Sequence, residues 1–324
     1  MERHSRIFVA GHRGLVGSAI CRVLERQGYG NLILRTHAQL DLTDRAKTLE
    51  FFDQQRPEYV ILAAARVGGI LANDTYPGDF IRENLEIETS VIDAAWRSGV
   101  TRLLFLGSSC IYPKLAPQPI REEYLLTGPL EPTNRAYALA KIAGIEMCWS
   151  YNRQYGTKYL SAMPTNLYGP GDNFDLQGSH VLPALMRKVI EAKRGGTRKL
   201  VVWGSGKPRR EFLYSDDLAE ACIHLLNLPE RQYDVLIAQS DVPPLINIGT
   251  GEDLTIRELA ELVARVLDFD CELVFDTSRQ DGTPQKLLDV SRIHALGWKA
   301  KVSLEDGIRR TYESVRPQLE LTAL

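Results

Sequence analysis

The 324-residue sequence predicts a doubly wound parallel α/β sheet carrying a second, smaller α/β lobe. Three observations lead there. Short β-branched runs alternate with longer amphipathic stretches through the first half of the chain, the pattern of repeated βαβ units. A glycine-rich turn, Gly11-His12-Arg13-Gly14-Leu15-Val16-Gly17, follows the first of those runs and opens the first amphipathic stretch. After about residue 170 the alternation fades, interrupted by Gly-Pro-Gly at 169 to 171 and Gly-Ser-Gly-Lys-Pro at 204 to 208.

Taken in order, strands are expected over Arg6 to Val9, Leu32 to Leu34, Tyr59 to Leu62, Leu103 to Leu106 and Tyr159 to Met163. Helices are expected between them, over Gly14 to Gln27, Arg45 to Gln55, Pro77 to Ser98 and Ala136 to Tyr155. Two later runs, Phe212 to Tyr214 and Leu245 to Ile248, are expected to return to the main sheet. The division that follows is a dinucleotide-binding part over 1–175 with returning segments near 211–248, and a discontinuous substrate-binding lobe over 176–324. No internal repeat or low-complexity run interrupts it.

Composition narrows the function. A formal net charge of -2 and a pI near 6.3 exert no whole-molecule pull on nucleic acid or an anionic membrane. No apolar stretch approaches the roughly 20 residues that span a bilayer, and Met1 to Arg6 lead directly into the first strand, so no leader segment is expected. The five cysteines, Cys21, Cys110, Cys148, Cys222 and Cys271, are scattered and form no Cys-x-x-Cys pair. Neither a disulfide framework nor a metal site is expected, and a reducing cytoplasm fits best.

The glycines of the turn are spaced G-x-x-G-x-x-G. One permits a tight turn, one lets backbone approach a pyrophosphate, and one allows close helix-to-strand packing, while the positive helix end faces the phosphates. This is a Rossmann-type dinucleotide site in its expected place. The second strand ends Leu34-Arg35-Thr36-His37 with no acid before Asp41. A cation there suits a 2′-phosphate, so NADP is favoured over NAD, with Arg13 in the turn as a second cation.

Tyr137-Ala138-Leu139-Ala140-Lys141 puts a phenol and an ammonium on one helix face, a spacing also found on ordinary solvated helices. A neighbouring cation is expected to bring Tyr137 down from the ordinary tyrosine pKa of about 10 toward working pH. The fourth strand ends Phe105-Leu106-Gly107-Ser108-Ser109-Cys110, supplying hydroxyls where a doubly wound sheet binds its ligands. Together the glycine turn, the serine and Tyr-x-x-x-Lys resemble the extended short-chain dehydrogenase/reductase family. The resemblance implies that Ser108, rather than Ser109, bonds the substrate carbonyl, that Tyr137 passes a proton to its oxygen, and that Lys141 holds the nicotinamide ribose. It also implies that Pro164-Thr165-Asn166-Leu167 lines the nicotinamide and sugar site.

Further stretches narrow the likeness to the nucleotide-sugar epimerase/reductases of that family: residues 107 to 114 and 130 to 134, Met-Pro-Thr-Asn-Leu-Tyr-Gly-Pro at 163 to 170, Arg66-Val67-Gly68-Gly69-Ile70, and Asp281-Gly282-Thr283-Pro284. The implied reaction inverts C3 and C5 of GDP-4-keto-6-deoxymannose and reduces C4 with NADPH. The resemblance places the inverting pair at Cys110 as base and His180 as acid, whose ordinary pKa values of about 8.5 and 6.5 straddle neutrality. It assigns substrate contacts to Lys188, Trp203, Arg210 and Asp281, adds His180 to the cofactor site, and implies a homodimer formed through the Tyr137 helix and the helix over Glu83 to Ser98. His37 stands where an arginine is expected near the 2′-phosphate, which weakens NADP selectivity. Rival readings are an NAD-retaining nucleotide-sugar 4-epimerase, a simple 4-keto reductase, and a redox-sensing binding protein.

Overall fold

The computed structural model describes residues 1–176, 178–238, 241–279 and 281–321. Its first half runs β1 (Ile7–Ala10), α1 (Leu15–Arg26), β2 (Leu32–Ile33), α2 (Arg45–Gln55), β3 (Tyr59–Leu62), α3 (Ile70–Thr75), α4 (Pro77–Ser98), β4 (Arg102–Leu106), α5 (Arg135–Tyr155) and β5 (Tyr159–Pro164). The second half runs β6 (Asn166–Tyr168), α6 (Val181–Arg194), β7 (Lys199–Trp203), β8 (Arg209–Tyr214), α7 (Ser215–Leu226), α8 (Glu230–Ile237) and β9 (Leu245–Ile248). It ends with β10 (Asp253–Thr255), α9 (Ile256–Val266), β11 (Glu272–Asp276), β12 (Gln285–Lys286), α10 (Ser291–Ala295) and α11 (Leu304–Leu321).

The main sheet has six parallel strands in the order β2-β1-β3-β4-β5-β9. Helices cover both faces, so strands such as β1, β4 and β9 are buried along their whole length and are mostly apolar, with Arg102 at the start of β4 and Asn247 in β9 as buried exceptions. The chain moves outward from β1 to β2 and then crosses back to β3. That reversal opens a crevice beyond the carboxyl ends of β1 and β3, where ligands of such sheets bind.

Leu245–Ile248 does return to this sheet, pairing with β5. Phe212–Tyr214 does not. It forms the end of β8, in a separate sheet between β10 and β12, with β6 also paired to it. The reason is visible at its start, where Arg209 and Arg210 are only half-buried and ion-pair or hydrogen-bond at the sheet's rim. A central parallel strand must be apolar on both faces. The Leu-Ile-Asn-Ile run of β9 meets that condition more fully and takes the place beside β5.

A second core, built from Tyr168, Leu182, Met186, Phe212, Leu259 and neighbours, packs α6, α9 and α11 around the smaller sheet. β5 passes through Thr165 directly into β6, so one continuous segment ties the two cores together. Glu211 fixes that junction. Its buried carboxylate accepts hydrogen bonds from the backbone of Thr250, Gly251 and Leu288 at 2.6 to 3.0 Å, while its carbonyl accepts from Asn166 at 2.8 Å.

Candidate active site

The crevice is a cleft of about 1090 Å³, at the upper end of ordinary small-molecule pockets. Its floor is the turn between β1 and α1. Gly11 adopts a left-handed φ of +86°, and a Cβ on it would lie 2.7 Å from the Ala64 nitrogen. At Gly17 a Cβ would lie 2.1 Å from the Gly11 oxygen, so only glycine lets α1 start this close to the turn. The cradle fits a dinucleotide, whose phosphates such backbone N–H groups and a helix N-terminus bind. Three lining residues also carry a buried polar atom without a partner among the described residues, His12 Nδ1, Asp172 Oδ2 and Ser179 Oγ. Burial lowers His12 and pushes the Asp172 carboxyl up to about 7.

All of the residues expected at the cofactor line this cleft: the turn from Gly11 to Gly17, Arg35, Asp41, Leu106 to Ser109, Lys141, Pro164 to Leu167, and His180. Just beyond β2 the Arg35 guanidinium lies 5.5 Å from the Phe51 ring centroid. Asp41 accepts hydrogen bonds from Thr43 and lies 3.8 Å from the His37 ring, and those Thr43 bonds hold its carboxyl below the usual range.

Ser108 sits at the mouth of β4 with extended backbone, and its Oγ accepts a hydrogen bond from the Cys110 N–H at 3.3 Å. It is also hydrogen-bonded to the Tyr137 phenol. Tyr137 and Lys141 share a face of α5 as their spacing requires, with Nζ 5.9 Å from the phenol ring centroid. The electrostatic outcome differs from the sequence expectation. Tyr137 is pushed up, not down, chiefly by burial, with Cys110 and Glu88 adding to the rise and Ser108 opposing it. The Lys141 ammonium is paired instead with Glu88 Oε1 at 3.1 Å, where α4 packs against α5. Burial raises Glu88 against the pull of Lys141.

Cys110 and His180 line the same cleft from the two sides of the molecule, one following β4 and one capping α6. Lys286 on β12, a residue that sequence reasoning missed, is near both. Its Nζ donates to Cys110 Sγ at 3.7 Å. His180 is exposed where it lines the cleft, yet the surrounding protein, and then the charge of Lys286, hold its pKa below the ordinary imidazole value.

The four candidate substrate residues stand beyond this cleft, in the smaller lobe, in two groups. Lys188 lies 4.6 Å from the centroid of the half-exposed Trp203 ring and donates to the Val201 carbonyl at 2.9 Å; Arg279, absent from the sequence expectation, approaches the same ring at 4.9 Å. Asp281 accepts from Ser205 N and Oγ at 2.9 and 2.6 Å. Arg210 is near enough to Cys110, Asp281 and Glu131 to feel their charges, though burial dominates and lowers its pKa. Two cations about one indole can hold a diphosphate beside a stacked or packed ring. Among the described residues, no cluster of three metal-ligating side chains occurs and no helix is long and apolar enough to cross a membrane.

Residues 7–242 match the sequence pattern of the NAD dependent epimerase/dehydratase family. GDP-L-fucose synthase 1 of Arabidopsis thaliana is 58% identical over 312 residues, covering 96% of this chain and 93% of the relative. GDP-L-fucose synthase of Escherichia coli (strain K12) is 55% identical over 310 residues, covering 95% of each. Among solved structures, a GDP-L-fucose synthetase from Naegleria fowleri bound to NADP superposes with a TM-score of 0.85 at 29% identity, over 99% of this chain and 96% of that one.

Proposed function

The chain belongs to the NAD dependent epimerase/dehydratase family, and from that premise we propose that it makes GDP-L-fucose, inverting C3 and C5 of GDP-4-keto-6-deoxymannose and reducing C4. The observation that carries this reading over a plain reductase or a 4-epimerase is the convergence of Cys110 and His180 on the cleft that also holds Ser108, Tyr137 and Lys141. A simple hydride-transfer site has no use for a second acid and base.

The cofactor's place is the glycine cradle, with Arg35 and Arg13 at the 2′-phosphate and Lys141 at the nicotinamide ribose. NADPH bound there supplies the hydride for C4. The inversions must come first, because only the ketone makes the C3 and C5 protons acidic. Cys110 as thiolate removes each proton, the C–H electrons pass into a C=C–O⁻ enolate, and His180 returns a proton to carbon from the opposite face. Ser108 and Tyr137 donate hydrogen bonds to the enolate oxygen, the same oxygen that becomes the C4 hydroxyl. In the last step Tyr137 gives that oxygen its proton. The smaller lobe holds the GDP, with Lys188 and Arg279 about Trp203 and with Arg210 beside Asp281.

Incubation with GDP-4-keto-6-deoxymannose and NADPH in D2O tests the whole sequence. Stoichiometric NADPH oxidation with deuterium at both C3 and C5 is expected. Reduction without label would leave a 4-keto reductase, and label at neither carbon would remove the inverting pair from the mechanism.

The cradle yields a second expectation. In Gly17→Ala the new methyl must displace the Gly11 carbonyl, which it would otherwise meet at 2.1 Å. Overpacking of this kind costs about 1–3 kcal/mol, so NADPH affinity in a fluorescence titration should fall by roughly tenfold or more. Unchanged affinity would mean that the turn does not seat the cofactor.

A further inference from the structure

Glu88 lies on α4 where that helix packs against α5, and its side chain is 1% exposed. Carboxylates are buried this deeply only when something compensates them. The compensation is Lys141, itself 1% exposed, at 3.1 Å. Space for the pair comes from Gly144, one turn further along α5. A methyl group there would lie 2.8 Å from Glu88 Oε2 and 2.5 Å from Phe105 Cζ.

Apart from this ion pair, neither Glu88 oxygen has a partner among the described residues. The titratable groups that face Glu88 are Lys141, Tyr137 and Cys148, all on α5. From β4 comes only the Phe105 ring, 4.6 Å from Lys141 Nζ. On α4 itself, Glu83 and Glu86 are engaged by Arg66 and Arg82 at the surface. Tyr137 in turn faces Cys110 and Ser108 from the segment after β4. Glu88 is therefore the one carboxylate, among the described residues, set against the phenol and the ammonium together.

We infer that Glu88 is a positioning residue for the proton donor: its carboxylate fixes the Lys141 ammonium between α4 and α5 and cancels that cation's pull on Tyr137. A lone ammonium this close would draw the phenol toward phenolate, and a phenolate has no proton to give. The carboxylate on the far side restores the acid. The upward displacement of Tyr137 agrees in sign, since Glu88 contributes to it. This role deepens the proposed reaction and rests on Tyr137 being its acid.

Glu88→Gln keeps the length of the side chain and one acceptor oxygen while removing the charge. The pH profile of NADPH oxidation with GDP-4-keto-6-deoxymannose is compared between the unaltered chain and this variant. Its alkaline limb, where Tyr137 loses its proton, is expected to move down by roughly 1–3 pH units, with NADPH binding by fluorescence and the circular dichroism spectrum retained. Glu88→Asp, which keeps the charge, should return the limb toward its original position. A purely structural role would lower the melting temperature or the rate and leave the limb in place. Should Glu88→Gln fail to fold, because it leaves the Lys141 ammonium buried without its counter-charge, Glu88→Asn carries the same expectation, since its shorter amide leaves room for water beside that ammonium. A folded variant with an unmoved limb overturns the inference. If the unaltered chain itself does not oxidise NADPH with this substrate, it is the reaction that fails, so the two failures are distinct.

Discussion

Tyr137→Phe is expected to slow NADPH oxidation by about 10²–10⁴-fold, the usual contribution of a positioned general acid, while NADPH still binds. The variant loses one oxygen and little else. The ring that remains keeps its edge-on contact with Phe80, with centroids 6.4 Å apart, and Lys141 keeps its pair with Glu88. Ser108 stays to polarise the ketone alone, so exchange of the C3 and C5 protons should suffer less than reduction. Absorbance at the reduced nicotinamide band and a fluorescence titration of NADPH separate the two effects. A loss smaller than tenfold would take the proton donor's role from Tyr137. The same geometry sets the pH dependence of the unaltered chain. Since burial, Cys110 and Glu88 hold the phenol above the ordinary tyrosine value of about 10, the donor stays protonated through neutral and mildly alkaline pH. Any fall in reduction between pH 7 and 9 must come from another group.

Much of this site could be read from the sequence because its parts are local. A glycine turn between a strand and a helix, a serine at a strand end and two side chains one helical turn apart each declare themselves within a few residues. The strands of the main sheet were nearly as legible, since burial on both faces leaves short, mostly apolar runs interrupted only by single polar residues such as Ser161 and Asn247. What stayed hidden depends on contacts between distant segments. Glu88 sits in Asn-Leu-Glu-Ile-Glu-Thr, where alternate acids read as a solvated helix face. Only the packing of α4 on α5 reveals that one of them is buried against Lys141. The expected lowering of Tyr137 failed chiefly because the phenol is buried, with Cys110 and Glu88 adding to the rise: the cation was foreseen, and neither the burial nor the cation's partner was. Lys286 lies on a two-residue strand without a motif, and Glu211 in a run that opens with two arginines. The short apolar run at 212 to 214 was ambiguous for a related reason, because its length suits either sheet and its charged start excludes only the buried one.

Cys110→Ser is expected to cut deuterium incorporation at C3 and C5 by about 10²–10⁴-fold, and His180→Gln to do the same to the return of the proton to carbon. A serine hydroxyl at Cys110 preserves the shape and the N–H bond to Ser108 Oγ, but it is far too weak an acid to stand as an anion near neutral pH. Glutamine at His180 can still hydrogen-bond and cannot deliver a proton. Neither change touches the glycine cradle, so NADPH affinity should be kept in Cys110→Ser and fall only slightly in His180→Gln, whose residue also lines the cofactor's cleft. The uninverted ketone still meets Ser108 and Tyr137 in these variants, and slow reduction to an unlabelled product is the outcome that separates loss of inversion from loss of fold. The acid role also has a direction in pH. His180 is held low by the protein packed around it at the cleft and then by Lys286, so its imidazolium becomes scarce as pH rises through that lowered value. Labelling should therefore weaken on the alkaline side at a pH below the ordinary histidine range of about 6.5, well before Tyr137 loses its proton. Labelling and reduction measured across the same pH series should part company there. If they fall together at every pH, a single group limits both, and the division of labour between Cys110 with His180 and Ser108 with Tyr137 does not hold.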